Sequence, residues 1–177
     1  MRGLLVIGAP DCKNKPNDHT QADVRRVGFR NLHQSIIVHS QKMNTDVAAQ
    51  KAFDRLAEAG FEKLTDSDKI LASIWTFEAG IANRGFASYF SSSAGDMAFY
   101  VPTALKTIGA AGVAKIAASA NEVFGPGGPP RDQEERRPLV RAFGDETRKT
   151  LTALESQFFD SPEDVDDLLE LYLNKKP

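Results

Sequence analysis

From Met43 onward, apolar residues return again and again at the spacing of a helix. Phe53, Leu56, Ala57 and Gly60 fall at i, i+3, i+4 and i+7, which predicts a first helix over about 46 to 59, stopped by a turn at Gly60. Thr65 and Asp68 form a capping-box-like pair ahead of Ile70, Ile74, Phe77 and Ile81. They predict a second helix that ends near Asn83-Arg84-Gly85, where Gly85 can take a positive φ. Val113, Ile116, Ala117, Ala120 and Phe124 mark a further helix, closed by the Gly125-Pro126-Gly127-Gly128-Pro129-Pro130 loop. Asp132 and Glu135 resemble a capping box for a helix carrying Leu139, Val140 and Phe143, which Pro138 must kink or shorten. Leu151, Leu154 and Phe158 predict a helix after Gly144. Ser161, as N-cap, and Pro162, at the first helical position, predict a last helix that buries Val165, Leu168, Leu169 and Tyr172. No strand-like alternation is present, so the pattern predicts an all-α fold: a single compact domain of about six to eight helices over residues 43 to 177.

Residues 1 to 42 show no such pattern and are expected to form a poorly structured N-terminal extension, with Ser35-Ile36-Ile37-Val38 its one candidate short strand. Gly3 to Gly8 is too short and lacks the cleavage pattern of a secretory signal. Because the patterned region opens at Met43, we expect the functional start to lie downstream of Met1. Charge separates the two pieces. The extension holds seven basic and three acidic residues, or +4, so a whole-chain charge of -2 leaves -6 for the domain. His19, His33, His39 and Cys12 all lie in the extension. One cysteine cannot make an internal disulfide, and with no membrane-length apolar run a cytoplasmic protein is expected. A basic arm for nucleic acid needs an apolar helical stripe beside its arginines, and none accompanies these.

Without histidine or cysteine, the domain cannot build a Ser-His-Asp or Cys-His nucleophile, nor a zinc site of the usual ligands. Gly125 to Gly128 lacks the Lys-Ser/Thr of a phosphate loop and reads as a turn between helices. Neither a metal nor another cofactor is expected. Glu78 falls between Ile74 and Leu71 around the second helix, so it should face the core or a cleft and must find partners there. It could accept N–H groups from the Asn83 to Phe86 turn or the Ser91 to Asp96 loop, or pair with an arginine. It could also join Asp96 as the carboxylate pair of a hydrolase-like enzyme. Asp96 otherwise reads as an N-cap for the helix that follows. The last helix carries another signal. Between Thr150 and Asn174 there are seven acidic residues and no basic one. Glu163, Asp164, Asp166, Asp167 and Glu170 share the face opposite the apolar stripe, as a solvated helix face or as a charge array that a basic partner could read. Carboxylates one helical turn apart rise about 4.5 to 6 Å per step, near the spacing of nucleic-acid phosphates.

The order Trp75-Thr76-Phe77-Glu78, Asn83-Arg84-Gly85-Phe86, Tyr89-Phe90, Ser92, Gly95-Asp96 resembles the bacterial domain family of DNA-mimic protein nineteen. The likeness continues through Ala104-Leu105, Ile108-Gly109-Ala110, the Phe124 to Pro129 loop, Arg136-Arg137 and Phe158-Phe159, so it covers about residues 46 to 174. Arg84 stands where that family usually has glycine, and a proline is inserted between Gly125 and Gly127. The resemblance implies an all-α fold, and in one branch an acidic homodimer that occupies the DNA-binding surface of a transcriptional regulator. The expected function is therefore a non-enzymatic acidic interaction module, without direct nucleic-acid or membrane binding. Trp75, Glu78, Asn83, Gly85, Phe86, Tyr89, Phe90, Gly95 and Asp96 are expected to be structural: rings for the core, Gly85 for the turn, Glu78 and Asp96 for local backbone.

Overall fold

A computed structural model describes residues 47 to 175; the expectations for the N-terminal extension, Cys12 and the histidines lie outside the described residues. The described chain is all-α, with seven helices: α1 (47–59), α2 (Asp66–Ser91), α3 (Val101–Ile108), α4 (Ala111–Glu122), α5 (Gln133–Arg141), α6 (Asp145–Phe159) and α7 (Val165–Lys175). Two short 3₁₀ helices, Phe61–Lys63 and Ser93–Met97, stand on either side of α2.

The second helix organises the others because it is apolar around most of its girth. Ile70, Ile74, Phe77 and Ile81 are buried as their spacing predicts, but so are Leu71, Ala72 and Ser73. A helix buried on several sides belongs in the middle of a bundle, and α2 packs against α3, α5 and α6. In turn α4 lies against α3 and α6, while α7 rests on α3. The start of α2 is fixed as the capping box predicts: Asp68 N donates to Thr65 Oγ1 at 3.2 Å, and Thr65 Oγ1 donates to Asp68 Oδ2 at 2.8 Å. The other oxygen of Asp68 accepts from Arg55 at 2.7 Å, which ties α1 to α2. Facing that contact, α1 buries Ala49 and Ala52, with Phe53 and Leu56 half-buried and Ala57 exposed, so its inner face is set one turn earlier than the apolar spacing suggests.

The helix breaks at Gly85, where its end is predicted, and a second helical stretch follows directly. The backbone breaks there with φ 73° and ψ 177°, then resumes helical geometry as far as Ser91. This is a region of backbone space that essentially only glycine occupies. A break exposes new backbone N–H groups, and a distant side chain takes one of them: Phe86 N donates to Glu155 Oε1 of α6 at 2.7 Å. A Cβ on residue 85 would collide with that same carboxylate. The kink turns Phe86, Tyr89 and Phe90 back onto the first half of α2. Phe77 meets Tyr89 edge-on at 5.6 Å and Phe158 of α6 at 5.6 Å, and Phe90 meets Phe124 at 4.9 Å. One continuous line of aromatic contacts thus crosses the core from α6 to the loop after α4.

One helix begins elsewhere than predicted, while α5 begins at Asp132 as its capping pattern predicts. The last helix starts at Val165, with Asp164 as its N-cap: Leu168 N donates to the Asp164 carbonyl at 3.1 Å and Asp167 N to Asp164 Oδ1 at 3.0 Å. Pro162 therefore lies ahead of the helix, and Ser161 Oγ instead accepts from Glu163 N at 3.3 Å. Asp132 caps α5 through Glu134 N at 2.6 Å, and the helix runs through Pro138 but stays short.

Gly85→Ala combines a forbidden backbone conformation with loss of the Glu155 contact. It should lower unfolding free energy by about 3 kcal/mol in urea titration. Glu155→Gln, which keeps an acceptor for Phe86 N, should cost about 1 kcal/mol. Equal losses in the two variants would contradict this account of the kink.

Candidate functional site

The family-like motif and the acidic face occupy different neighbourhoods. At the motif, the guanidinium of Arg136 on α5 is wholly buried, with 0% of its side chain exposed. Its Nε donates to Phe90 O at 2.7 Å, Nη1 to Pro130 O at 2.8 Å and Arg131 O at 2.9 Å, and Nη2 to Ser92 O at 2.7 Å and Asp96 Oδ1 at 2.7 Å. Gly95 is needed for this approach, since a Cβ there would sit 2.8 Å from Tyr89 O and 3.0 Å from the guanidinium nitrogens. Asp96 is thus not an N-cap: it lies within the 3₁₀ turn, 45% exposed, as the one carboxylate on Arg136, while α3 has no side-chain cap. Burial pushes the Tyr89 phenol above its ordinary range; Arg136 opposes this and Asp96 adds to it. The Tyr89 hydroxyl and Ser73 Oγ are buried with no hydrogen-bond partner among the described residues.

The remaining motif residues divide. Phe86, Tyr89 and Phe90 are core side chains, as expected. Trp75 is not: it is 42% exposed and packs on Phe53 of α1 at 5.2 Å. Asn83 is exposed and returns its side-chain amide to Ala79 O at 2.7 Å, so it acts within α2 rather than across the turn. Of the backbone N–H groups open to Glu78 in that turn, the one of Phe86 is taken by Glu155.

Glu78 instead lines a cleft of about 360 Å³, together with Val113 of α4, Phe158 and Phe159 at the end of α6, and residues 161 to 166. The bundle thereby brings Glu78 to the same cleft as Glu163, Asp164 and Asp166, which are more than 80 positions further along the chain. Asp96 is not part of its lining.

The acids of the last segment do unlike things. Glu163 turns toward α4, whose N-cap residue Ala110 makes no side-chain cap. Its two oxygens accept from Gly112 N and Val113 N, each at 2.9 Å. A carboxylate at the positive end of a helix satisfies open N–H groups and the macrodipole together. Asp164 caps α7, whereas Asp160, Asp166 and Asp167 are exposed and Glu170 is half-buried. Leu171, exposed, breaks the acidic face with an apolar side chain. No group of histidine, cysteine, aspartate or glutamate among the described residues is arranged to hold a metal ion. No helix among them is long and apolar enough to cross a membrane.

A family model described as DMP19-like protein matches residues 62–176, a span that takes in α2 to α7. The chain belongs to the DMP19-like family. Comparison with curated proteins and with solved structures found no match. In this DMP19-like domain, two residues that organise the motif went unrecognised from sequence. Arg136 was visible only as one of an Arg-Arg pair, and no local signal distinguishes the buried member from the half-exposed Arg137. Glu155 is one acid among many on α6. Each is defined by a partner at least 40 residues away.

Capping by Glu163 and exposure of Asp167 give different expectations. Glu163→Ala should lower stability by about 1 to 2 kcal/mol. Asp167→Asn should change it by no more than about 0.5 kcal/mol. Urea denaturation at fixed salt checks both, and indistinguishable variants would remove the capping role.

Proposed function

We propose that the domain is a non-enzymatic acidic interaction module that acts as a DNA mimic, offering carboxylates to the basic DNA-binding surface of a regulator. The observation that carries this reading is the convergence of Glu78 with Glu163, Asp164 and Asp166 on one cleft, with Asp160 and Asp167 exposed elsewhere on the same chain segment. Separate parts of the chain supply one negative surface. Along α7, acids one turn apart keep a rise close to that of backbone phosphates. Membership of the DMP19-like family supports the same reading. A surface of this sign repels nucleic acid itself, so a protein is the partner, and a second copy of the chain in a homodimer would extend the acidic array. The reading requires neither cofactor nor metal, and it places the protein in the cytoplasm, where such regulators work.

Exposed charge acts over a Debye length, so capture must be salt-sensitive. Immobilised full-length protein should retain its partner at about 50 mM salt and release most of it at about 200 mM. Duplex DNA added in excess should displace that partner, and reversal of Asp164, Asp166, Asp167 and Glu170 to lysine should abolish capture. Capture unaffected by the reversal, or indifferent to duplex DNA, would contradict the proposal.

A further inference from the structure

Two polar side chains stand in the core where carbon alone would pack. Tyr89 belongs to a cluster of rings whose other members, Phe77, Phe86 and Phe90, bear no hydroxyl. Ser73 lies in a wholly buried run of α2, after Leu71 and Ala72 and before Ile74, and is itself 0% exposed. Neither hydroxyl oxygen meets a hydrogen-bond partner among the described residues. The Arg136 guanidinium, whose charge is felt at the Tyr89 phenol, has no donor left for it: all five of its N–H groups are bound to other acceptors. Burying an unpaired hydroxyl is costly, and buried polar atoms that the protein does not satisfy are characteristically served by an internal water.

The two hydroxyls belong to one face of the helix. Ser73, Phe77 and Gly80 fall at i, i+4 and i+7 and so form a single stripe along α2. The Tyr89 ring lies on that stripe: it meets Phe77 edge-on at 5.6 Å, and a Cβ on Gly80 would stand 2.6 Å from its Cδ2. The missing side chain of Gly80 thus gives the ring its seat, and Ser73 is one turn beyond Phe77 on the same stripe. Burial keeps the phenol protonated, so its hydroxyl can both donate and accept, as can that of the serine. We propose that a buried water molecule binds between Ser73 Oγ and the Tyr89 hydroxyl and bridges them. Ser73 precedes the break at Gly85 and Tyr89 follows it. The water is therefore a structural ligand that links the two halves of α2 from within, alongside the Glu155 contact at the break itself.

Urea unfolding of the full-length protein with Ser73→Ala, Tyr89→Phe and the two together tests the bridge. Each substitution removes one oxygen and keeps the carbon frame, so the variants should retain the fold. Each single variant should raise the unfolding equilibrium constant about three- to tenfold, because it leaves the water and the other hydroxyl short of a partner. The double variant should lose little more than either single one, since both changes remove the same bridge. A high-resolution crystal structure of the wild type should place a water within about 3.2 Å of both oxygens, and that of Tyr89→Phe should lack it. Tyr89→Phe as stable as the wild type, or more so, would mean that the hydroxyl had no partner to lose and would overturn the proposal. Additive losses from the two substitutions would overturn it as well, as would a crystal structure with Ser73 Oγ turned onto a carbonyl of its own helix.

Discussion

Arg136 is sealed from solvent, and a charge taken out of water must recover its hydrogen bonds from the protein. Only one of its acceptors is an anion, and that one, Asp96, is itself partly exposed; the rest are backbone carbonyls from the end of α2, the turn after it and the loop before α5. Those carbonyls would otherwise be orphaned, because they lie where helices stop. One guanidinium therefore fixes three chain segments that have no regular pairing of their own. Next to it, Arg131 lies over Phe99 at 3.8 Å and pairs with Glu62 at 2.6 Å, which holds the same glycine- and proline-rich loop from its outer side.

The same logic governs the other inward-turned acids. Asp68, Glu155 and Glu163 each meet donors that the helices leave open or that bring α1 to α2. Formal charge counts them equally with the exposed Asp160 and Asp167, although each is held against donors of the fold. Other acids stay at the surface, Asp160 and Asp167 among them. The placement of charge in the domain matters more than its total of -6.

Legibility in the sequence followed the range of each interaction. Helix existence was readable because burial repeats every three to four residues: the Ile70, Ile74, Phe77, Ile81 stripe and the Thr65/Asp68 box hold in the structure. The need for positive φ at Gly85 was readable too. That the helix would resume beyond it was not, since this depends on Glu155, which is 69 residues from the N–H it accepts. Glu78 illustrates the same limit: its helical position indicated a cleft, but the identity of the cleft required knowing that the end of α6 and the segment leading into α7 come beside α2. Asp96 looked like a cap because acidic residues before helices usually are, and a buried arginine 40 residues later claimed it instead. Trp75 was assigned to the core on residue type alone, and its place beside α1 leaves it partly open.

The central claim is that the family motif is scaffold, clamped by Arg136, while binding belongs to acids outside it. Arg136→Lys tests this most directly, because lysine keeps the charge but offers fewer donors without the planar fork. Urea denaturation of the full chain should show a loss of about 3 kcal/mol or more, since a buried charge and several carbonyls are left without partners. A variant within about 1 kcal/mol of wild type would contradict the claim.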